Sequence, residues 1–220
     1  MTQTLPDVTG TFPYPVPQDG EYDGPTPPWM SRFSDEYGEF LQHQLDLDVL
    51  QVPHRILAML RASDALVQGF AVTQLEHGLQ TAALAEKAGA DIDVVIASLC
   101  HDMGKVISTP NHSAISAEMI KLYVSDDAYW MVKVHQDFEG VHYFGKMGLD
   151  PMLRKQHKDH PAYDLAKQFA DEWDQKAFDV DMKTPPLEHY VPMIEEVFTR
   201  KPKLPAEWSW SSQANPDPTS

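Results

Sequence analysis

Proline decides where this chain can build regular structure. Residues 1–30 carry Pro6, Pro13, Pro15, Pro17, Pro25, Pro27 and Pro28, with Gly10, Gly20 and Gly24 between them. Each proline lacks an amide donor and fixes φ, so neither a regular helix nor a central strand can run through this stretch. It reads as an extended arm. Phe12, Tyr14, Tyr22 and Trp29 give the arm apolar side chains to lay along a surface, its own or a partner's. Residues 201–220 form a similar tail, with Pro202, Pro205, Pro216 and Pro218 around Trp208 and Trp210. Residues 31–200 remain as the span for one folded core.

Within that span apolar residues recur at helical spacing nearly throughout. Segments 33–47 and 53–69 carry Leu41, Leu45, Ile56, Leu57 and Leu60 in this pattern. Segment 70–88 places Leu75, Leu79, Ala82 and Ala83 on one stripe and ends at Gly89. Asp93 is a candidate cap for a helix running through Val94, Val95, Ile96 and Leu99 to about Lys105, before the break at Pro110. Further helices are expected from about His112 to Tyr123, from the Ser125-Asp126-Asp127 cluster to His135, from Pro161 to Ala177, and from near Pro192. No alternating strand pattern stands out. The expected fold class is all-α, a helical bundle between irregular Pro- and aromatic-rich arms.

Composition narrows the function classes. The 220 residues are 42% hydrophobic and 23% charged, the balance of a soluble globular domain. No apolar run reaches the length of a membrane span, and no basic-then-apolar leader opens the sequence, so a cytoplasmic protein with no membrane partner is expected. One cysteine, Cys100, excludes an internal disulfide framework and a multi-cysteine zinc site. The formal charge of -16 repels phosphate backbones, which sets nucleic acid aside as a partner. The unusual quantity is ten histidines.

Their order carries the chemistry. His101-Asp102 ends the most apolar helix, just after Leu99 and Cys100. Adjacent helical residues point about 100° apart, so both side chains reach one point only at a helix end or bend. Gly104 and Lys105 follow, as at such an end. An imidazole nitrogen and a carboxylate can both ligate a metal, and the carboxylate can bridge two ions. Upstream, His77 sits in Gln74-Leu75-Glu76-His77; downstream come His112, His135, and Asp174 on the helix that carries Phe169 and Trp173. A lone histidine is more often a surface or satisfied residue than a ligand. Four histidines and two aspartates in this order, spread over five helices, are poorly explained by chance.

Two stretches resemble a known family. Gln74-Leu75-Glu76-His77-Gly78-Leu79-Gln80 and Leu99-Cys100-His101-Asp102-Met103-Gly104-Lys105 are similar to the first two motifs of the HD-domain superfamily. His112, His135 and Asp174 extend the resemblance to its dinuclear branch, nearest the mixed-valent diiron oxygenases, which include organophosphonate-cleaving and, more distantly, myo-inositol-oxidising enzymes. The resemblance covers roughly residues 53–200. It implies one iron held by His77, His101, Asp102 and Asp174, with Asp102 bridging to a second iron completed by His112 and His135. It further implies an Fe(II)/Fe(III) pair that binds a substrate hydroxyl, takes O2 as co-substrate and leads to C–C or C–P cleavage. The mixed imidazole and oxygen ligand set suits iron.

Lys105 lies one helical turn past Asp102. The resemblance gives it a substrate contact in catalysis, while a solvated helix-end lysine complementing the dipole is the competing reading. Gln136, Asp137, His142, Tyr143 and Lys146 are candidate pocket residues; His43, His54, His157, His160 and His189 read as surface or capping residues. The chain departs from the phosphonate-cleaving pattern where bases would grip the phosphonate. Glu139 stands one turn past His135, and Asp171 one turn before Asp174. Val67 and Phe70 occupy the spacing of a tyrosine and an acid ahead of the first histidine. Acids at these points repel a doubly charged phosphonate, so a polyol or other small hydroxylated molecule, including one with a cationic group, fits better. Two rivals stay open: a metal-dependent HD phosphohydrolase acting on a small phosphoester or nucleotide, and a metal-braced scaffold whose arms bind a partner. The chain is expected to be a monomer or a homodimer.

Overall fold

The computed structural model describes Tyr22 and residues 24–204. Among these the chain forms eight α-helices and no strand: α1 Asp35–Val49, α2 Val52–Ala62, α3 Gln74–Lys87, α4 Ile92–Cys100, α5 His112–Ile120, α6 Asp126–Tyr143, α7 Tyr163–Gln168 and α8 Leu187–Phe198. The fold is all-α. No helix among the described residues is long and apolar enough to cross a membrane. Most of the N-terminal arm and most of the 201–220 tail, with Trp208 and Trp210, lie outside the described residues. Tyr22 does pack, its ring 5.1 Å from Tyr37 and 5.5 Å from Phe40 on α1.

Helix α4 is the axis of the bundle. Every residue from Val94 to Cys100 is buried, and a helix apolar on all sides can sit only where neighbours surround it. Helices α3, α5, α6 and α8 pack around it and bury Leu79, Ile120, Met131, Phe138, Ile194 and Phe198. Phe169 and Trp173 close the core from a π-helical turn, Phe169–Trp173, that follows α7.

Several boundaries differ from the sequence expectation. Asp91, not Asp93, caps α4 by accepting the Val94 amide at 3.0 Å. Asp93 instead accepts the Ser125 amide at 2.7 Å and Arg200 Nη1 at 2.5 Å, tying α4 to the start of α6 and the end of α8. The helix expected over 53–69 stops at Ala62, where the Ser63 hydroxyl donates to the Leu60 carbonyl at 2.6 Å. Gln68 and Gly69 then adopt φ of 50° and 84°, which no helix continues. Helix α4 ends at Cys100 rather than near Lys105, α6 runs on to Tyr143, and Pro192 sits inside α8 rather than at its start.

Two glycines set the close approaches that matter most. A Cβ on Gly78 would lie 2.8 Å from the Leu99 carbonyl oxygen, so only glycine lets α3 press against the end of α4. A Cβ on Gly104 would lie 2.4 Å from the His112 carbonyl oxygen and 2.9 Å from Ile115 Cβ. The turn after His101-Asp102 is thereby seated on the start of α5, where the Gly104 amide donates to Ser116 Oγ at 2.8 Å.

Candidate metal centre

The four central histidines share one device. Nδ1 of His77 lies 2.8 Å from the Ala177 carbonyl, that of His101 2.8 Å from Ser98 O, that of His112 2.7 Å from Thr109 O, and that of His135 2.7 Å from Val132 O. A carbonyl only accepts, so each Nδ1 must donate and the neutral ring presents a bare lone pair at Nε2. Those Nε2 atoms meet in two pairs, His77 with His101 at 3.1 Å and His112 with His135 at 3.0 Å. Facing lone pairs repel unless a cation or a proton stands between them.

Asp102 lies between the pairs. Its Oδ2 is 3.5 Å from Nε2 of both His77 and His101, and its Oδ1 is 2.8 Å from His112 and 3.5 Å from His135. Asp174 Oδ1 lies 3.1 Å from His77 and 3.5 Å from His101. Both Asp174 oxygens are buried with no hydrogen-bond donor among the described residues, a costly state that a bound cation would relieve. The ligand atoms of His77, His101 and Asp174 fall within 4.8 Å of one another, as do those of His101, Asp102 and His135. Burial pushes both aspartates up, but His101 in each case, with Lys105 and the other rings at Asp102, holds them well below the usual carboxylate range. Burial lowers His112, which favours the neutral ring a metal needs. These buried groups can bind a metal ion.

Gln74, Glu76 and Gln80 of the Gln74–Gln80 stretch each have a task here. The Thr73 hydroxyl accepts the Glu76 amide at 3.1 Å while Glu76 accepts the Thr73 amide at 2.7 Å, a reciprocal cap that starts α3 four residues before His77. Gln74 Oε1 accepts from Lys105 Nζ at 3.2 Å. Gln80 donates to the Asp179 carbonyl at 2.8 Å and accepts the Asp179 amide at 3.1 Å. That grip holds in place the segment whose Ala177 carbonyl orients His77. Phe178, in the same segment, stacks on the His77 ring at 4.2 Å and 13°, and Phe70 stacks on Phe178 at 4.3 Å. Sequence reasoning missed Phe178 altogether; a lone aromatic in a loop gives no periodic signal.

Lys105 is not solvated. Its side chain is 12% exposed and its ammonium lies 2.5 Å from Asp102 Oδ2, so what it touches is the central carboxylate. Of the pocket candidates, Gln136 accepts from Ser113 Oγ at 3.1 Å, Asp137 accepts from His157 at 2.7 Å, and Lys146 is exposed. His142 donates to Asp171 at 3.0 Å and Tyr143 donates to Glu139 at 2.6 Å. His43, His54, His157, His160 and His189 all lie outside the cluster. The Ala162 amide donates to His160, whose ring stacks on Trp130 at 3.6 Å, and His189 faces Glu86 at 3.0 Å. The charge argument at Asp171 changes. Arg154, Lys167 and His142 all contact its carboxylate, at 2.9, 2.9 and 3.0 Å, so it presents no uncompensated negative charge. Glu139 meets only the Tyr143 hydroxyl among the described residues.

The cluster, its order along the chain and its seat at the end of a buried helix now meet an independent comparison. Residues 75–179 match the HD domain family. That segment is similar to an HD domain. It begins two residues before His77 and ends at Asp179, the residue gripped by Gln80, so all six clustered residues fall within it. Comparison with curated proteins gives no match.

Proposed function

We propose that the HD-like segment holds two metal ions, one among His77, His101, Asp102 and Asp174, the other among Asp102, His112 and His135. We further propose that the protein is an oxygenase. It would use an Fe(II)/Fe(III) pair and O2 to oxidise or cleave a small substrate bound through its hydroxyl. The observation that carries this reading is the pairing of bare ring nitrogens, at 3.1 and 3.0 Å, on either side of Asp102. Two imidazoles and a shared carboxylate on each side make a nitrogen–oxygen ligand set that suits iron. When bound, the ions supply Lewis acidity for the substrate hydroxyl and the electrons for O2.

The chain's own residues do the rest. Asp102 is kept ionised between the two halves, and Lys105 offsets its charge from the side. Gln74 takes a second donor of Lys105, which fixes the direction of the ammonium. Three side chains at the second position leave coordination sites for a substrate hydroxyl, and open sites are typical of catalytic metals. The nearby bases are already engaged: Lys105 on Asp102, and Arg154 and Lys167 on Asp171. That leaves little to hold a phosphate, and it weighs toward a hydroxylated substrate without one.

The two-metal arrangement also supports a second reading, a phosphohydrolase in which paired divalent ions activate water against a phosphoester. Metal analysis and low-temperature EPR on protein from iron-supplemented cells, partly reduced, separate the two. Two iron ions per chain with a half-integer-spin signal from a coupled Fe(II)/Fe(III) pair support the oxygenase and direct a screen of hydroxylated compounds for O2 uptake. Two divalent ions without that signal, together with turnover of a generic phosphoester, assign the hydrolase.

A further inference from the structure

The four histidine rings are not independent of one another. Centroid to centroid, His77 lies 4.9 Å from His101, His101 5.0 Å from His135, and His135 5.0 Å from His112, each pair edge to face at 70°, 86° and 61°. The rings therefore form one continuous chain, and its middle contact, His101 against His135, joins the first pair to the second. All four are buried, so none can turn without moving its neighbour. Phe169, fully buried, braces that middle contact. Its ring meets His101 at 5.2 Å and 73° and His135 at 6.2 Å and 72°.

The π-helical turn explains how one short segment supplies both this brace and a ligand. Phe169 and Asp174 are five residues apart, which in an α-helix would point them about 140° from each other. Yet both reach His101, Phe169 by its ring and Asp174 by Oδ1, 3.5 Å from Nε2. The wider turn over Phe169–Trp173 brings them to one side. Whatever fixes Asp174 and His101 thus fixes Phe169, and through it His135. A divalent ion in the first half faces two carboxylates, Asp174 and Asp102, that match its charge. Repulsion of a second ion is thereby offset, and ring geometry decides how that ion binds.

We propose that this braced chain of rings couples the two metal positions, so that the protein loads its ions as a pair. The inference rests on the proposed two-metal reading and goes beyond it, since two positions that share a carboxylate need not fill together. Without a cation the bare Nε2 atoms of each pair, 3.1 and 3.0 Å apart, repel, and holding the rings in place is costly. The first ion removes that cost at His101 and fixes the surface against which His135 packs, so the second ion has less left to order. Phe169 is a positioning residue: it offers no ligand atom and acts through the two rings.

The test titrates the ion-free full chain with manganese(II) alone, under argon, and reads frozen samples by EPR. Uncoupled manganese and an exchange-coupled pair give different spectra, so the order of filling is visible below saturation. At one equivalent per chain, wild type should hold most of its bound manganese as coupled pairs. Phe169→Leu should still bind two ions but show uncoupled manganese first. Its second ion should weaken relative to the first by about fivefold, the lower end of ordinary coupling between sites. Phe198→Leu removes the same ring from a fully buried position on α8, where it packs on Tyr123 rather than on a histidine, and should fill as wild type does. Two ions per chain with uncoupled manganese first in wild type overturns the coupling and leaves the two-metal reading standing, whether or not Phe169→Leu folds. Pairwise filling that survives in Phe169→Leu, or is lost equally in Phe198→Leu, overturns the role of Phe169. A limit of one ion per chain sinks the two-metal reading and the coupling with it.

Discussion

The two halves of the cluster are built differently. The half made by His77, His101 and Asp174 joins side chains from α3, the end of α4 and the turn after the π-helical segment. It is fastened by contacts across the chain: His77 to Ala177, Gln80 to Asp179, and Phe178 stacked on the His77 ring. The half made by His112 and His135 comes from the neighbouring helices α5 and α6, and each ring is steadied by a carbonyl three residues before it. The first half has a terminal carboxylate of its own, Asp174. The second has only its share of Asp102. One half gathers an extra carboxylate and a stacked aromatic cover; the other has neither among the described residues.

Asp102 is the residue whose oxygens face all four rings, and removing it should have the largest effect. On the proposed two-metal reading, Asp102→Ala is expected to release both ions, read as metal content per chain falling from two toward zero after gel filtration. It also leaves the Lys105 ammonium buried against Gln74 alone, so melting should drop by about 3–5 kcal/mol of stability, the usual cost of breaking a buried ion pair. Retention of one full equivalent of metal would show that Asp102 is not shared.

Single-half variants sharpen the contrast. Asp174→Ala should empty the first half and leave about one equivalent of metal, and His135→Ala should empty the second and leave the other, with losses of tenfold or more in affinity at the affected position. The four-ligand half should hold its remaining ion through dialysis better than the three-ligand half. Equal retention in the two variants would argue that the cluster binds one ion, centred on Asp102.

The sequence makes the second half easier to read than the first. His112 and His135 lie in plainly helical segments, and His101-Asp102 announces itself by ending the most apolar helix. The first half depends on Ala177, Phe178 and Asp179, in a segment without periodicity, whose role exists only once the chain has folded back on α3. Gln80 stood within the recognised motif, yet its partner is a backbone group 99 residues away. The same limit applies to the charges. Asp171 and Glu139 look alike in sequence, each one turn from a clustered residue. Only packing reveals that one is neutralised by three basic groups while the other meets the Tyr143 hydroxyl. The cap of α4 was misplaced by two residues because Asp91 and Asp93 offer the same carboxylate, and the long-range partners Ser125 and Arg200 decide between them.

Two glycines serve the halves separately and give a smaller, graded effect. Gly104→Ala places a methyl 2.4 Å from the His112 carbonyl oxygen, and Gly78→Ala places one 2.8 Å from that of Leu99. Backbone cannot yield as a flexible side chain can, so each should cost about 1–3 kcal/mol by overpacking, with Gly104→Ala the worse. Metal loss should also divide. Gly104→Ala displaces His112 and should weaken the second half, while Gly78→Ala displaces α3 and should weaken the first. Thermal melts paired with metal analysis check both, and wild-type melting in either variant would remove the glycine argument.

The smallest effect concerns Glu139 in the metal-free protein. Burial, with Asp174 and Asp102 nearby, pushes its carboxyl up to about 8. A group whose folded value is raised stabilises the fold fully below its unfolded value, near 4.3, and that contribution is lost as pH rises through 8. Asp102 and Asp174 run the other way. Their folded values are lowered, so their contribution is present above about 3.9 and is lost only as pH falls below it. Between pH 5 and 8 the aspartates are therefore flat. His112, lowered by burial, adds stability as pH rises through its unfolded value of about 6.5, which opposes Glu139 and partly masks it. The difference between wild type and Glu139→Gln cancels the histidine. After chelation, the variant should gain on wild type steadily from pH 5 to 8, read as a widening difference in Tm. Parallel curves would mean that Glu139 is already ionised in the apo fold. It would then feel the two aspartates too weakly to lie beside the cluster.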